Sequence, residues 1–316
     1  MNIKEFSYYV EEHIRDFLPE EIRESAAISV HAKRGTNDTL RYGLMIRHGD
    51  EKASPLLYLE DAWQFHKNGA EMETLLRNLA EIYMEQPAID SVDLSFEYES
   101  VKDRVIFQIF NKEANRSSLR ERIYTDVGQG FVKVYAIHQK LDGAVEKGNI
   151  PITHGMMQSY GYDMQDIIQR AEENTPQIYP AVFTQMKRVL SKLGQDEFTD
   201  ENPVLEHFFV LSNTDGYRGS GVLFYSGMQE KIAEDLGQDY YVIPSSIHEM
   251  LIVPESAGMT AEDLEQMVQT VNGEVVLKED FLSNKVLFYD REKEQLRIAL
   301  PEIPDLQIGE KKGMER

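Results

Sequence analysis

Between residues 2 and 18 the apolar side chains Ile3, Phe6, Val10, Ile14 and Phe17 recur at spacings of three and four, one stripe of a helix. Pro19 ends it, since proline has no N–H for the helical ladder. The runs 26–32 and 40–47 then read as strands about Arg34-Gly-Thr-Asn-Asp38, where Gly35 and Asn37 suit a hairpin turn. A third short strand at 55–59 leads into a long helical pattern, with Met72, Leu75, Leu76, Leu79, Ile82 and Tyr83 on its inward face as far as Pro87. The order α-β-β-β-α predicts a small layered unit.

The stretch 91–122 reads as a charged connector of helical or mixed character, with 101–110 as its apolar part. Asn111 and Asn115, four apart, are expected on one helix face, as a ligand-binding amide pair or, more ordinarily for Asn, serving hydrogen bonds between domains or helix termination.

Beyond it, strands are predicted at 130–138 and 149–153, then a turn carrying His154. A helix opens at Asp163 and closes at Asn174-Thr-Pro176. Strands at 207–212 and 222–225 flank the loop that starts at Asn213 and ends at Gly221. Ser226-Gly-Met-Gln229 matches a capping box for a helix that Gly237 stops. A second helix starts at Thr260 with Leu264, Met267, Val268 and Val271 inward, and a hairpin of 286–289 with 296–300 follows. Strict strand–helix alternation is missing, which predicts a mostly antiparallel sheet with helices packed on one side. The expected fold is thus α+β in two domains, residues 1–120 and 121–307, with a flexible tail at 308–316.

Composition narrows the function classes. The 316 residues include no cysteine, so neither disulfides nor thiolate chemistry are available. Against 33 basic residues stand 55 acidic ones, a net charge of −22, and this field repels nucleic acid and anionic membrane surfaces. No run is long and apolar enough for a membrane span, and the opening Met-Asn-Ile-Lys-Glu-Phe is unlike a signal peptide, so a cytoplasmic protein is expected.

Candidate chemistry concentrates in Asp239-Tyr-Tyr-Val-Ile-Pro-Ser-Ser-Ile-His-Glu-Met-Leu-Ile-Val-Pro254, where two apolar runs flank Ser245, Ser246, His248 and Glu249. As one strand from 247 to 253, it would send His248 and Glu249 to opposite faces. As a Ser246-x-x-Glu249 capping box, it would commit the carboxylate to a backbone N–H and leave the imidazole for other work. A capped turn over 245–249 followed by a strand at 250–253 is the expected compromise.

Other patterns fall short of known chemistry. Gly216, Gly219 and Gly221 are followed by a predicted strand and not by the helix a dinucleotide site needs. His248-Glu249 begins a zincin motif, but Ile252 stands where its second histidine belongs. His31 and His48 share the N-terminal hairpin, where a simple register puts His31 opposite about position 42 and away from His48. No cofactor or metal is therefore called for.

Phe110-Asn-Lys-Glu-Ala-Asn115, Ala171-Glu-Glu-Asn-Thr-Pro176, Leu211-Ser-Asn-Thr214 and above all Ile243-Pro-Ser-Ser-Ile-His-Glu249, with Met267-Val and Asn272, occur in an order that resembles an uncharacterised protein family of anaerobic gut Firmicutes. The resemblance spans roughly residues 1 to 300. It implies a cytoplasmic bacterial protein and assigns no activity to any residue.

The sequence reading that follows is a ligand- or protein-binding or regulatory protein. Its cleft would be lined by the 244–249 turn, the loop from Asn213 to Gly221, and His154. The alternative is a hydrolase using His248 with a Ser or Glu partner; an assembly protein with an exposed apolar patch is a third class.

Overall fold

The computed structural model describes residues 1–49, 54, 56–85, 95–139, 149–194, 203–244 and 246–300. Ser245, Pro55, the loop 141–148 and the tail 308–316 lie outside the described residues.

The N-terminal layer follows its apolar pattern. Asn2 and Glu5 form a reciprocal capping box on helix α1 (Ile3–His13), whose stripe continues through a 3₁₀ turn to Leu18. Strands β1 (Ala27–Arg34) and β2 (Leu40–Arg47) pair antiparallel with His31 opposite Gly43, one position from the expected partner, and β3 (Leu56–Tyr58) adds to β2. Helices α2 (Glu60–Lys67) and α3 (Met72–Glu85) complete the layer. Phe6, Val10, Ile14, Leu44, Ile46 and Leu79 share its core, but Ile82 is 45% exposed and faces outward instead of inward.

The rest of the chain builds two antiparallel sheets. In the smaller, β6 (Phe131–His138) runs between β4 (Val105–Asn111) on one edge and β5 (Tyr124–Gly128) and β7 (Asn149–Pro151), placed end to end, on the other. The larger has the order β13-β12-β10-β11-β9-β8, from β8 (Ala181–Gln185), β9 (Phe209–Asn213), β10 (Tyr240–Ile243), β11 (Met250–Pro254), β12 (Leu287–Asp290) and β13 (Gln295–Ile298). The fold is α+β with several antiparallel sheets.

Alternation sorts the larger sheet's two faces. Tyr240, Val242, Met250 and Ile252 point into a core shared with Phe107, Ile109 and Tyr135 of the smaller sheet and with helices α5 (Met164–Ile178) and α7 (Met228–Leu236). Ile243 and Val253 point the other way, onto Leu264 and Val268 of α8 (Ala261–Glu274). The core clusters divide between Tyr83 and Val101, so the segment expected as a connector supplies a buried edge strand, β4, to the C-terminal core.

Several local expectations are corrected. Pro176 lies inside α5, which continues to Ile178 because the turn before it is anchored: the Asn174 amide donates to the carbonyls of Lys102 and Val105, and the Thr175 hydroxyl accepts the Phe107 N–H. The expected strand 222–225 is instead a buried 3₁₀ segment, Gly219–Phe224. A Cβ on Gly219 would stand 2.2 Å from Ser212 Oγ and 2.6 Å from the His248 carbonyl oxygen, so only glycine lets this segment lie against β9 and the 246–248 turn. The N-cap of α7 is Gly227 in the left-handed region, not a Ser226 capping box. Val271 of α8 is 41% exposed, on the outer face of its helix.

Candidate functional site

Pro244 and the segment 246–249 are held on two sides. Ile247 N–H donates to the Asp280 carbonyl at 2.8 Å and Ser283 N–H to the Pro244 carbonyl at 2.9 Å. From the other side, the Ser212 hydroxyl donates to the His248 carbonyl at 2.7 Å and Ser220 N–H to the Ile247 carbonyl at 3.2 Å. The turn is therefore a strap between β9 with its following loop and the segment 280–283.

Within the strap, the capping box is replaced by a tighter arrangement. Ser246, 7% exposed, accepts the N–H of His248 at 2.9 Å, two residues on, a local serine turn. Glu249 does not cap a helix. Burial pushes its carboxyl above the ordinary carboxylate range, against the opposing pull of the Ser246 hydroxyl and the neighbouring His248.

Both nitrogens of His248 are occupied. Nδ1 accepts the Arg218 backbone N–H at 3.4 Å, which leaves Nε2 as the protonated nitrogen, donating to Asp280 Oδ1 at 3.2 Å. Asp280 carries no sequence signal, since it lies 32 residues from its partner in a charged stretch.

The remaining expected residues separate. Asn213 is 6% exposed and organises its own loop: its Oδ1 accepts the N–H groups of Asp215 and Tyr217, and its amide donates to the Tyr217 carbonyl at 2.8 Å. That loop delivers Arg218 to His248. His154 opens the short helix α4 (His154–Tyr160), capped by Thr153, with its backbone N–H on the Glu121 carbonyl and its side chain exposed. It belongs to the smaller sheet's edge and, among the described residues, makes no hydrogen bond to the His248 strap.

A second polar centre was not foreseen. The hairpin loop between β1 and β2 holds Asn37 and Asp38 at φ 56° and 51°, a left-handed conformation these two residue types tolerate, and turns them onto the C-terminal body. Asn37 and Asn115 exchange bonds: Asn37 N–H to Asn115 Oδ1 at 2.7 Å and Asn115 Nδ2 to Asn37 Oδ1 at 2.8 Å. Asn37 Nδ2 reaches the carbonyls of Lys278 and Phe281. Asp38 accepts the N–H groups of Ser117 and Ser118, which help hold its carboxyl below the usual range although burial opposes them. Asn115 therefore bonds between the two core clusters, while no helix joins it to Asn111.

Beside this dock, Arg122 and Arg218 both lie over the ring of Phe110, their Cζ atoms 5.5 and 5.1 Å from its centroid. Arg218 Nη2 donates to Thr36 Oγ1 at 2.8 Å, while Nη1 is buried and has no hydrogen-bond partner. Burial depresses the Arg122 guanidinium, and the like charge of Arg218 adds to the effect.

Nearby, a cleft of about 760 Å³ opens between the segment 111–120, the β5–β6 turn and the approach to β12. Lys112, Arg116, Arg120 and Lys285 line it, with Glu113 the sole acid among its lining residues, an inversion of the chain's overall charge. Lys112 is paired with Asp126 and Arg116 with Glu113, each at 2.6 Å. Asn111 lines this cleft, whereas among the described candidates Ser246, His248, Glu249, His154 and Asn213 do not. Among the described residues no group of three or more His, Asp or Glu side chains could hold a metal ion, and no helix is long and apolar enough to cross a membrane.

An α+β protein with a clamped histidine turn and a loop docked through paired asparagines is the class that fold and site define. The chain belongs to the family of unknown function DUF5688, whose model matches residues 3–291. No curated protein and no solved structure matches it.

Proposed function

We propose that this chain acts by binding a small-molecule ligand or a protein partner, in a cytoplasmic binding or regulatory role, and not by chemistry at the 244–249 turn. The observation that carries the reading is the occupancy of His248. A general base must face the proton it removes, and here one nitrogen faces an amide N–H and the other a carboxylate. No described hydroxyl hydrogen-bonds to the ring, and the Ser246 oxygen is engaged by a backbone N–H. On this reading Ser246, His248, Glu249 and Asn213 shape the strap and its loop, and the cleft lined by Arg116 and Arg120 offers room of the size small ligands use. The net charge of −22 argues against nucleic acid or an anionic membrane as partner.

The hydrolase alternative has one point in its favour: His248–Asp280 resembles the base-and-orienter half of a triad. A fluorophosphonate probe on the intact chain separates the two readings. Binding without chemistry expects no labelling above that of His248→Ala. Stoichiometric labelling of a serine that His248→Ala abolishes would replace it with the hydrolase.

A further inference from the structure

We propose that Arg122 and Arg218 form a clamp over Phe110 for the oxyanion of a small ligand, a carboxylate or phosphate group. The proposal rests on the reading of the chain as a binding protein and names the chemistry its ligand carries.

Two guanidiniums over one ring repel each other, and a fold that keeps them there gains most when an anion sits between them. The charges of Asp38 and Glu121 act on Arg122 from a distance but neither forms an ion pair with it, and both oxygens of Asp38 accept backbone N–H groups of Ser117 and Ser118, at 2.7 and 2.9 Å. The Arg122 side chain makes no hydrogen bond or ion pair with any described residue. Arg218 is positioned with unusual determination for a surface cation: its backbone is left-handed, at φ 51°, its Nε meets the Tyr217 hydroxyl and its Nη2 meets Thr36. What remains is a buried Nη1 with its protons unused.

A second, independent observation lies on the same face of the sheet. Gln108 precedes Phe110 by two residues on β4, so their side chains share a face. It is 7% exposed and its Nε2 has no partner, an uncommon condition for a buried amide. Two guanidinium forks over an aromatic ring, with an amide donor on the same strand face, suit a planar carboxylate or a phosphate, which accept such donors in pairs. A polyanion is the poorer fit, since the whole-molecule field opposes it.

The test titrates the intact chain with pyrophosphate, citrate and a short single-stranded oligonucleotide by calorimetry. We expect pyrophosphate or citrate to bind with a sub-millimolar Kd, the stronger of the two telling phosphate from carboxylate chemistry. Arg122→Gln and Arg218→Gln should each weaken binding by about tenfold or more, with Arg122→Lys between them and the native chain. Arg77→Gln, on α3 and paired there with Glu73, should leave it unchanged. Circular dichroism establishes that each variant is folded, and Arg122→Gln decides if Arg218→Gln is not. The clamp is overturned if neither small anion binds, if Arg122→Gln binds as well as native, if Arg77→Gln removes the binding instead, or if only the oligonucleotide binds. Serine labelling by fluorophosphonate would defeat the binding-only reading without touching this result.

Discussion

Arg218 stands between two polar centres that the fold treats in opposite ways. On its backbone side the His248 strap is closed: imidazole, Ser246 hydroxyl and the N–H groups of Ile247 and His248 each have a partner inside the protein. On its side-chain side, two guanidiniums lie over Phe110 and an unpartnered amide stands on the same strand face, with donors to spare. Satisfied polar networks hold a structure in one arrangement, whereas unsatisfied donors wait on something from outside. The residues that looked most chemical in the sequence belong to the first kind.

The comparison can be sharpened by breaking closed networks first. Lys133 of β6 is 9% exposed, paired with Glu172 of α5 and bonded to the Phe224 carbonyl at 3.1 Å, so Lys133→Ala leaves a part-buried carboxylate alone. We expect a loss of about 3–5 kcal/mol, read by urea unfolding, with much recovered in a Lys133→Met, Glu172→Leu double variant. Gly219→Ala forces a methyl against Ser212 Oγ and two backbone atoms, and should cost roughly 3 kcal/mol with loss of the His248 strap's amide protection in hydrogen exchange. Asn37→Ala removes the paired-amide dock and leaves alanine at positive φ, at about 2–3 kcal/mol by the same unfolding assay.

The open centre should respond differently. Arg122→Gln removes one of two like charges that no described carboxylate pairs, so its stability in the absence of anions should stay within about 0.5 kcal/mol of native. A loss on the scale of Lys133→Ala would mean that Arg122 is structural. Glu249 gives the smallest effect and a pH sign. Its folded carboxyl titrates above the unfolded one, so the folded state binds more protons between those two values and stability falls as pH rises through that window. Glu249→Gln should therefore be slightly stabilising at neutral pH and lose that advantage below the ordinary carboxylate range, measured as the difference in Tm across pH.

The contrast also explains what the sequence could reveal. Periodicity placed α1, the β1–β2 hairpin, α3, α8 with its Thr260 cap, and the last hairpin, because each has one buried face and a polar one. It missed β4, since a strand buried on both faces shows no apolar–polar alternation, and charged neighbours made it look like a connector. It misread 222–225 as a strand, because the steric demand at Gly219 comes from Ser212, Asn213 and His248, none of them close in sequence. At the site, Ser246, His248 and Glu249 were visible as polar groups among apolar runs, but their employment was not. Asp280, which takes the imidazole proton, and Arg122, which meets Arg218 over Phe110, come from distant segments that carry no local mark.

The most direct measurement is the tautomer of His248 in the intact chain, read from long-range proton–nitrogen correlations of the imidazole at neutral pH. A ring with Nδ1 accepting the Arg218 amide and Nε2–H held by Asp280 gives a single Nε2–H tautomer. An Nδ1–H ring, or one that exchanges its proton with a serine hydroxyl, would contradict the closed strap and return His248 to the chemistry its sequence first suggested.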